Sequence, residues 1–366
     1  MVRISAALIV RDEEEHIGAC LASIGPIVDE VIVVDTGSKD ATASIAAARG
    51  AKVFDVPWRG DFAFARNAAL ERASGEWILY VDADERVSLT GDLQATIDDP
   101  TVIAARVRFR ASSRVFPYWE YRLFRNRSDI RFRGVIHESI MPDVLPLVES
   151  GQHRIVTAPL AFDHLGYEGD LSRKHRRNHP LLLKAVADDP QRIYLWHTLG
   201  EAALGLQDLK GAEDAWRKGL AVIRQRPPQA YDVLVYSDLI DLHLSEGGVA
   251  LPDAAALVEE AAERHPDDPL ILWWKAHYLA AQGACAAARS CLETVSSLGK
   301  DGPPDGLLGY DSRLFGVLSW ALMGTCWLKE GHPEEAVHWL RRAKAADPQD
   351  LEISTKLTLA EKLLRP

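Results

Sequence analysis

Trp77-Ile78-Leu79-Tyr80-Val81-Asp82-Ala83-Asp84-Glu85 is an apolar run that breaks abruptly into carboxylates. It has strand length and is apolar throughout, the pattern of a strand covered on both faces. Three earlier stretches repeat the pattern: Ile4–Val10, then Val31-Ile32-Val33-Val34 ending at Asp35, then Lys52–Val56. Helical patterns separate them. Asp12–Leu21 reads as a helix with an acidic first turn, which suits the helix dipole. Ala41–Arg49 reads as a second helix closed by Gly50, and Phe62–Ala73 as a third with Gly75 beyond its end. Strand and helix in strict alternation predict a parallel, doubly wound sheet. Ligands of such sheets bind beyond the carboxyl ends of the strands, where Asp35 and Asp82 both stand.

Farther out the pattern changes. Val102–Phe109, Tyr121–Arg125 and Ile155–Leu160 read as strands, expected to extend the sheet in antiparallel fashion. From Ser172 onward the chain is helical in pattern and contains a repeat. Trp196, Gly200, Ala203, Ala212, Trp216 and Gly219 answer to Trp320, Gly324, Trp327, Ala336, Leu340 and Ala343. A looser copy runs through Trp274, Tyr278, Ala287 and Cys291. Another, interrupted by Ser245–Pro252, runs through Ala254, Val258, Ala261 and Pro266. Small residues let paired helices approach and large ones fill the groove, as in 34-residue tetratricopeptide repeats. The Trp residues are therefore read as core rather than as a carbohydrate platform. The expected architecture is an α/β domain with a mostly parallel sheet followed by an all-α repeat domain.

Composition bounds the function. The 366 residues (40.5 kDa) are 47% hydrophobic and 26% charged, which excludes a disordered chain, a collagen and a membrane-helix bundle. No apolar run approaches the ~18–20 residues that cross a bilayer. Met1-Val2-Arg3-Ile4-Ser5 leads straight into a strand-like run rather than an h-region with a cleavage site, so export is not expected. Cys20, Cys285, Cys291 and Cys326 share no metal spacing, so a reduced, cytoplasmic setting is expected. The net charge of −11 divides into −9 over residues 1–100, +6 over 101–180 and −8 over 181–366. This distribution argues against a nucleic-acid partner. The basic block is either a solvated Arg-rich face or the seat of one anionic ligand.

Asp82 and Asp84 lie two apart, so on extended backbone they point the same way. Carboxylates that converge repel unless a cation joins them, and magnesium or manganese with substrate phosphates would serve. The alternative is a solvated acidic turn. Asp35, before Thr36-Gly37-Ser38-Lys39-Asp40, could accept a base imide N–H or simply shape a turn. Neither a Walker loop nor G-x-G-x-x-G precedes the following helix, which disfavours a P-loop kinase or a dinucleotide dehydrogenase.

Ala6–Glu14, Val31–Thr42, Trp58–Asn67 and Trp77–Glu85 resemble, in order, the opening motifs of glycosyltransferase family 2. Ile136-His137-Glu138 and His164-Leu165-Gly166-Tyr167 are similar to later motifs of one branch. In that branch a GT-A domain precedes tetratricopeptide repeats, as in bacteriocin S-glycosyltransferases. The resemblance covers about residues 1–180 by motif and the rest by repeat pattern. It departs at Arg11-Asp12-Glu13, where the branch has Lys-Asn-Glu, and at Lys39, where it has Thr. The resemblance implies a GT-A domain over 1–170, a helical connector over 171–190 and repeats over 191–366. It implies a nucleotide-sugar donor, usually UDP-linked, a manganese or magnesium ion, and inversion. Asp35 would hold uracil, Arg66 would lie near the pyrophosphate, Asp82 would bind ribose and Asp84 the metal.

An inverting transfer needs an acceptor-side base. Glu138 is the first choice and His137 the second. His164 is a third metal ligand, a diphosphate contact or a structural residue. Trp119, Tyr121, Arg122 and Arg125 line the acceptor groove, serve the core or stand in solvent. A peptide or protein acceptor is expected from the repeats, which also could join two subunits into a homodimer. The alternatives are a saccharide or lipid-linked glycan acceptor and, in another class, a non-catalytic repeat scaffold on a sugar-nucleotide domain. A nucleotidyltransferase would carry a basic Gly-rich loop where Val10-Arg11-Asp12-Glu13-Glu14 stands.

Overall fold

Register explains how the carboxylates reach one end of the sheet. β1 (Ile4–Val10), α1 (Ile17–Ile24), β2 (Glu30–Asp35), α2 (Thr42–Ala48), β3 (Lys52–Asp55), α3 (Phe62–Leu70) and β4 (Trp77–Tyr80) follow in alternation. The four strands are parallel, with Val10 opposite Asp35 and Asp35 opposite Asp55, so their carboxyl ends share an edge. In this computed structural model the described residues are 3–165, 172–245, 252–299, 302–303 and 306–365. They form two compact units, Met1–Ser113 with Pro117–Asp188, and Arg114–Phe116 with Asp189–Pro366.

The first unit continues through β5 (Glu85–Leu89), α4 (Gln94–Asp98), β6 (Val102–Arg110), β7 (Tyr118–Arg125), α5 (Met141–Glu149), β8 (Arg154–His164) and α6 (Ser172–Asp188). Among the described residues the strand order is β3-β2-β1-β4-β7-β6-β8-β5. β7 runs antiparallel to β4 and β6, and β5 antiparallel to β8, as expected of an extension. β6 and β8, however, are parallel. Glu85 N–H bonds back to the Asp82 carbonyl in a tight turn, so β5 starts beside the end of β4. Those strands lie four places apart in the sheet, so the sheet must curl. Trp77 and Leu79 enter the core on one face and Ile78 the core on the other, the period-two signature of a strand buried on both sides. Each such side chain contributes about 1.5–3 kcal/mol by burial.

One element departs from expectation for a clear reason. The helix expected over Asp12–Leu21 begins only at Ile17. The N–H groups of Asp12, Glu13 and Glu14 bond instead to Ser38 Oγ, Thr42 Oγ1 and Asp40 Oδ2. In return, Asp12 and Glu14 accept from the N–H groups of Lys39 and Ala41. The two loops clasp each other, and Asp12 takes a positive φ of 55° to do so. Residues 12–15 are therefore a loop wall rather than a helical turn. The third helix also ends earlier than expected, at Leu70, and β5, α4 and α5 were not expected.

In the second unit helices pair as α7 (Ile193–Gly205) with α8 (Leu209–Ile223), and α9 (Asp232–Ser245) with α10 (Pro252–Arg264). α11 (Pro269–Ala281) pairs with α12 (Cys285–Ser297), α13 (Val317–Lys329) with α14 (Pro333–Ala346), and α15 (Leu351–Leu363) packs on α14. Of the expected interruption, residues 246–251 lie outside the described residues. The two best repeat copies are built alike. A Cβ on Gly200 would fall 2.0 Å from Trp216 Nε1, and one on Gly324 would fall 2.6 Å from Leu340 Cγ. Trp196, Trp216 and Trp274 are buried, as a core role requires. No described helix is long and apolar enough to cross a membrane.

Candidate active site

α3 sets the site. Asp61 caps its N-terminus by accepting from Phe64 N–H at 2.9 Å. Asn67 exchanges two hydrogen bonds with the Phe132 backbone, and Phe62 N–H bonds to the Val135 carbonyl. These bonds pin the Arg133–Ser139 loop along the helix. His137 sits in that loop at φ 50°, a conformation few residues other than glycine adopt.

The pinned loop brings Glu138 to Arg66. Arg66 Nε donates to Glu138 Oε1 at 2.5 Å and Nη2 to Asp82 Oδ1 at 2.9 Å. The Arg66 side chain is 9% exposed, Glu138 10% and Asp82 34%, so the fork opens toward Asp82. Arg66 Nη1 is buried with no hydrogen-bond partner among the described residues. Burial by itself would push the guanidinium down, but Asp82 and Glu138 more than reverse that and hold it charged. Burial likewise would raise Asp82, and Arg66 with Arg122 brings it below the usual carboxylate range.

A second guanidinium stands behind the first. Arg122 donates through Nη2 to Glu85 Oε1 at 2.8 Å and through Nε to Glu120 Oε2 at 2.7 Å. Its Nη1 lies 3.8 Å from Asp82 Oδ2. Glu85 Oε2 accepts the Asp82 N–H, so this buried pair fixes the backbone of the carboxylate turn. Burial pushes the Glu85 carboxyl up to about 8 against the pull of Arg122. The Tyr80 ring lies 4.8 Å from Arg66 Cζ and 4.5 Å from Arg122 Cζ. Below the turn, Cys20 Sγ donates to the Asp82 carbonyl.

Asp84 meets a different partner. β8 pairs His164 with Glu85, which brings His164 Nδ1 to 3.5 Å from Asp84 Oδ1. Burial pushes the imidazole down, against Asp84 and Asp82. Asp84 also borders a cavity of ≈ 330 Å³ lined by Asp12, Glu13, Asp40 and neighbouring acids. Burial, then Asp84 and Asp82, push Glu13 up to about 7. Asp35 is buried, and its Oδ1 accepts from the Gly37 and Ser38 N–H groups at 2.9 and 2.8 Å.

The profile of glycosyl transferase family 2 matches residues 5–145. A TPR repeat-containing protein of Synechococcus elongatus is 35% identical over 272 residues, 72% of this chain and 68% of that protein. The chain belongs to glycosyl transferase family 2, with tetratricopeptide repeats in its second half. The glycosyltransferase SunS of Bacillus subtilis is 28% identical over 241 residues, 59% of this chain and 54% of that protein. The chain thus spans about half the length of this second relative. Among solved structures, mannosyl-3-phosphoglycerate synthase from Rubrobacter xylanophilus is 22% identical with a TM-score of 0.40, over 51% of this chain and 73% of that one.

In this glycosyltransferase, Arg66, Asp82 and Glu138 are joined, and Asp84 and His164 are joined beside them. Gly166 and Tyr167 of the last motif lie outside the described residues. Two residues considered for an acceptor groove serve elsewhere. Arg122 is 5% exposed and belongs to the buried charge cluster. Arg125 lies 4.3 Å over Trp77 and donates to the carbonyls of Val102, Ile97 and Asp99. Tyr80 and Glu85, which the structure joins to Arg122 around the Asp82 turn, were not read as part of a site. The available signal was Glu85 itself, a carboxylate opening a strand directly after Asp84.

Proposed function

We propose that this glycosyltransferase moves a sugar from a UDP-linked donor, with a divalent cation and inversion at the anomeric carbon, to a peptide or protein acceptor. The observation that carries the reading is Arg66, held by two carboxylates with a buried Nη1 still to bond. An arginine fork matches phosphate oxygens. Departure of a nucleoside diphosphate builds negative charge, and a pre-oriented buried donor stabilises it. Asp35 would take the uracil imide through Oδ2, and Asp82, the more open of the two Arg66 partners, the ribose.

Asp84 and His164 fit a divalent cation. One supplies a hard carboxylate oxygen and the other an imidazole kept neutral by burial. Among the described residues no three His, Cys, Asp or Glu side chains group as a metal cage, so substrate oxygens would complete the shell. A cation there supplies positive charge to the diphosphate.

Glu138 would take the acceptor proton through Oε2, with His137 as the next choice. Arg66 already occupies its Oε1. The same contact favours a second reading, in which Glu138 only positions Arg66. Glu138→Gln separates the two. A base variant keeps UDP binding and loses transfer, whereas a positioning variant weakens both. The repeats would present the acceptor, since such arrays make concave surfaces suited to peptides.

The direct test is nucleotide release from a panel of UDP-, GDP- and dTDP-sugars with and without manganese. Metal-dependent release from one UDP-sugar supports the reading. Release from a GDP- or dTDP-sugar alone, or release indifferent to metal, overturns it.

A further inference from the structure

β6 carries Arg106, Arg108 and Arg110 at alternate positions, in the middle of the chain's basic block. Val107 and Phe109, between them, enter one core of the sheet. Ala104, on the arginines' side, enters the other core, which also holds Phe132 and Ile140 on either side of Glu138. Arg106 and Arg108 therefore continue, past the end of that core, the face on which Glu138 lies. β7 takes up one extra residue, Arg122, between its pairs with Ala105 and Arg106. The bulge sends Arg122 to the buried charge cluster. It leaves Tyr121 opposite Arg106 and Trp119 opposite Arg108, on the same face as the arginines.

Register gives the separation from the carboxylate turn. Leu79 pairs with Leu123 and Leu123 with Ala105, so these three share a row. β4 and β6 both run antiparallel to β7, and Asp82 and Arg108 each lie three residues beyond that row. Two strand spacings, about 10 Å, separate them. α3, which carries Arg66, packs over β1 and β2, on the other side of β4 from β6.

The two guanidiniums are held in place without being neutralised. Arg106 Cζ and Arg108 Cζ each lie 4.8 Å from the Trp119 ring. Stacking fixes a guanidinium plane and leaves its N–H edge open to an anion. Arg106 gives only Nε, to Thr157 Oγ1 at 3.0 Å. The neighbouring carboxylates are engaged elsewhere. Glu120, on the opposite face from Trp119, binds Arg122, and Asp163 pairs with Arg110. Among the described residues neither Arg106 nor Arg108 forms an ion pair. Like charges two residues apart on one strand face, about 7 Å, repel, and an anion laid across both relieves this.

We propose that Arg106 and Arg108, seated on Trp119, bind a carboxylate of the acceptor and so select acidic peptide segments. This rests on the peptide-acceptor reading above and names the charge class of that acceptor. The donor phosphates belong to the Arg66 side of β4, so the anion met on β6 comes from the acceptor. An extended chain rises about 3.3 Å per residue, so the bound carboxylate belongs about three residues from the modified side chain.

The test uses the full chain with UDP and manganese and two short fluorescein-labelled peptides. Both have a serine and a cysteine at the centre, and they differ only in carrying glutamate or glutamine about three residues to either side. By fluorescence anisotropy the wild type is expected to bind the glutamate peptide about tenfold more tightly, and Arg106→Gln/Arg108→Gln to lose that preference. Melting temperature and UDP affinity check that the variant is folded. Arg49→Gln/Arg59→Gln, which removes the same charge from exposed positions, is expected to keep the preference. A preference that survives in Arg106→Gln/Arg108→Gln, or that falls equally in the control, overturns the assignment. So does a wild type that binds both peptides alike; each of these results leaves the peptide reading standing. A wild type that binds neither peptide refutes the peptide reading, and this assignment with it.

Discussion

Arg66 and Trp216 are both buried, and the two units bury them by opposite means. Around Arg66 the first unit gathers a second guanidinium, a phenol ring and several carboxylates, each satisfied by another charge. Buried ions cost several kcal/mol each in lost hydration, and pairing repays that only where geometry is good. Around Trp216 the second unit places Gly200, and the indole N–H donates to the His197 carbonyl at 3.1 Å. There shape decides and charge is incidental. The contrast teaches where each unit is fragile. In the first, removing a charge should cost activity; in the second, adding an atom should cost stability.

The largest effect should come from Asp84→Ala. Donor turnover is expected to fall about 10³-fold with an unchanged melting temperature, measured by nucleotide release. Wild-type turnover in that variant would sink the metal role of Asp84. Glu138→Gln should lower transfer by about 10²-fold or more, with UDP affinity deciding between its two readings. On the other side of the contrast, Gly200→Val should destabilise the repeat unit by about 3 kcal/mol, because the indole cannot step aside. Thermal unfolding would measure it, and donor hydrolysis by the first unit should survive below the transition. If hydrolysis falls in step with repeat stability, the two regions are not separable as argued.

A smaller effect concerns pH. His197 Nδ1 lies 2.6 Å from Asp238 Oδ2 between α7 and α9. Burial opposes the imidazolium, but Asp238 and Glu201 hold it, so the His197 pKa rises to about 9. Its stabilisation is complete below the unfolded value near 6.5 and is lost as pH climbs through about 9. Burial raises Asp238 to about 6, so that group's penalty against folding grows as pH rises from about 4 to 6 and stays constant above it. Unfolding free energies at pH 7 and 10 should therefore differ by about 1–3 kcal/mol, and His197→Gln should flatten that difference. Smallest is Asp350→Ala, which removes the cap on Ile353 N–H and should cost about 1 kcal/mol in chemical denaturation.

The sequence made these regions legible to different depths. The repeats announce themselves because packing is local: the spacing of Trp196, Gly200 and Trp216 is itself the geometry. The parallel strands were legible for the same reason, from continuous apolar runs. The loop at Asp12–Glu15 was not, since its backbone donors go to Ser38, Thr42 and Asp40, and acids before an apolar stretch imitate a helix start. In the site, motif positions identified Asp82, Asp84, Arg66 and Glu138 singly. Their joining depends on the Asn67–Phe132 bonds and on the curl that sets Glu85 beside β4, both long-range features without a local signature. For Arg122 the groove and core readings stayed open, because an alternating strand does not reveal which of its faces meets the buried acid; the structure places it in the core.

The central claim is that the Arg66 fork and the Asp84–His164 pair together form a diphosphate site. Calorimetric titration of UDP into the full chain, with manganese and with the metal chelated, tests it most directly. Saturable binding that weakens at least tenfold on chelation, and that loses this metal dependence in Asp84→Ala, is the predicted result. Binding of equal strength in both conditions, or no binding in either, would contradict it.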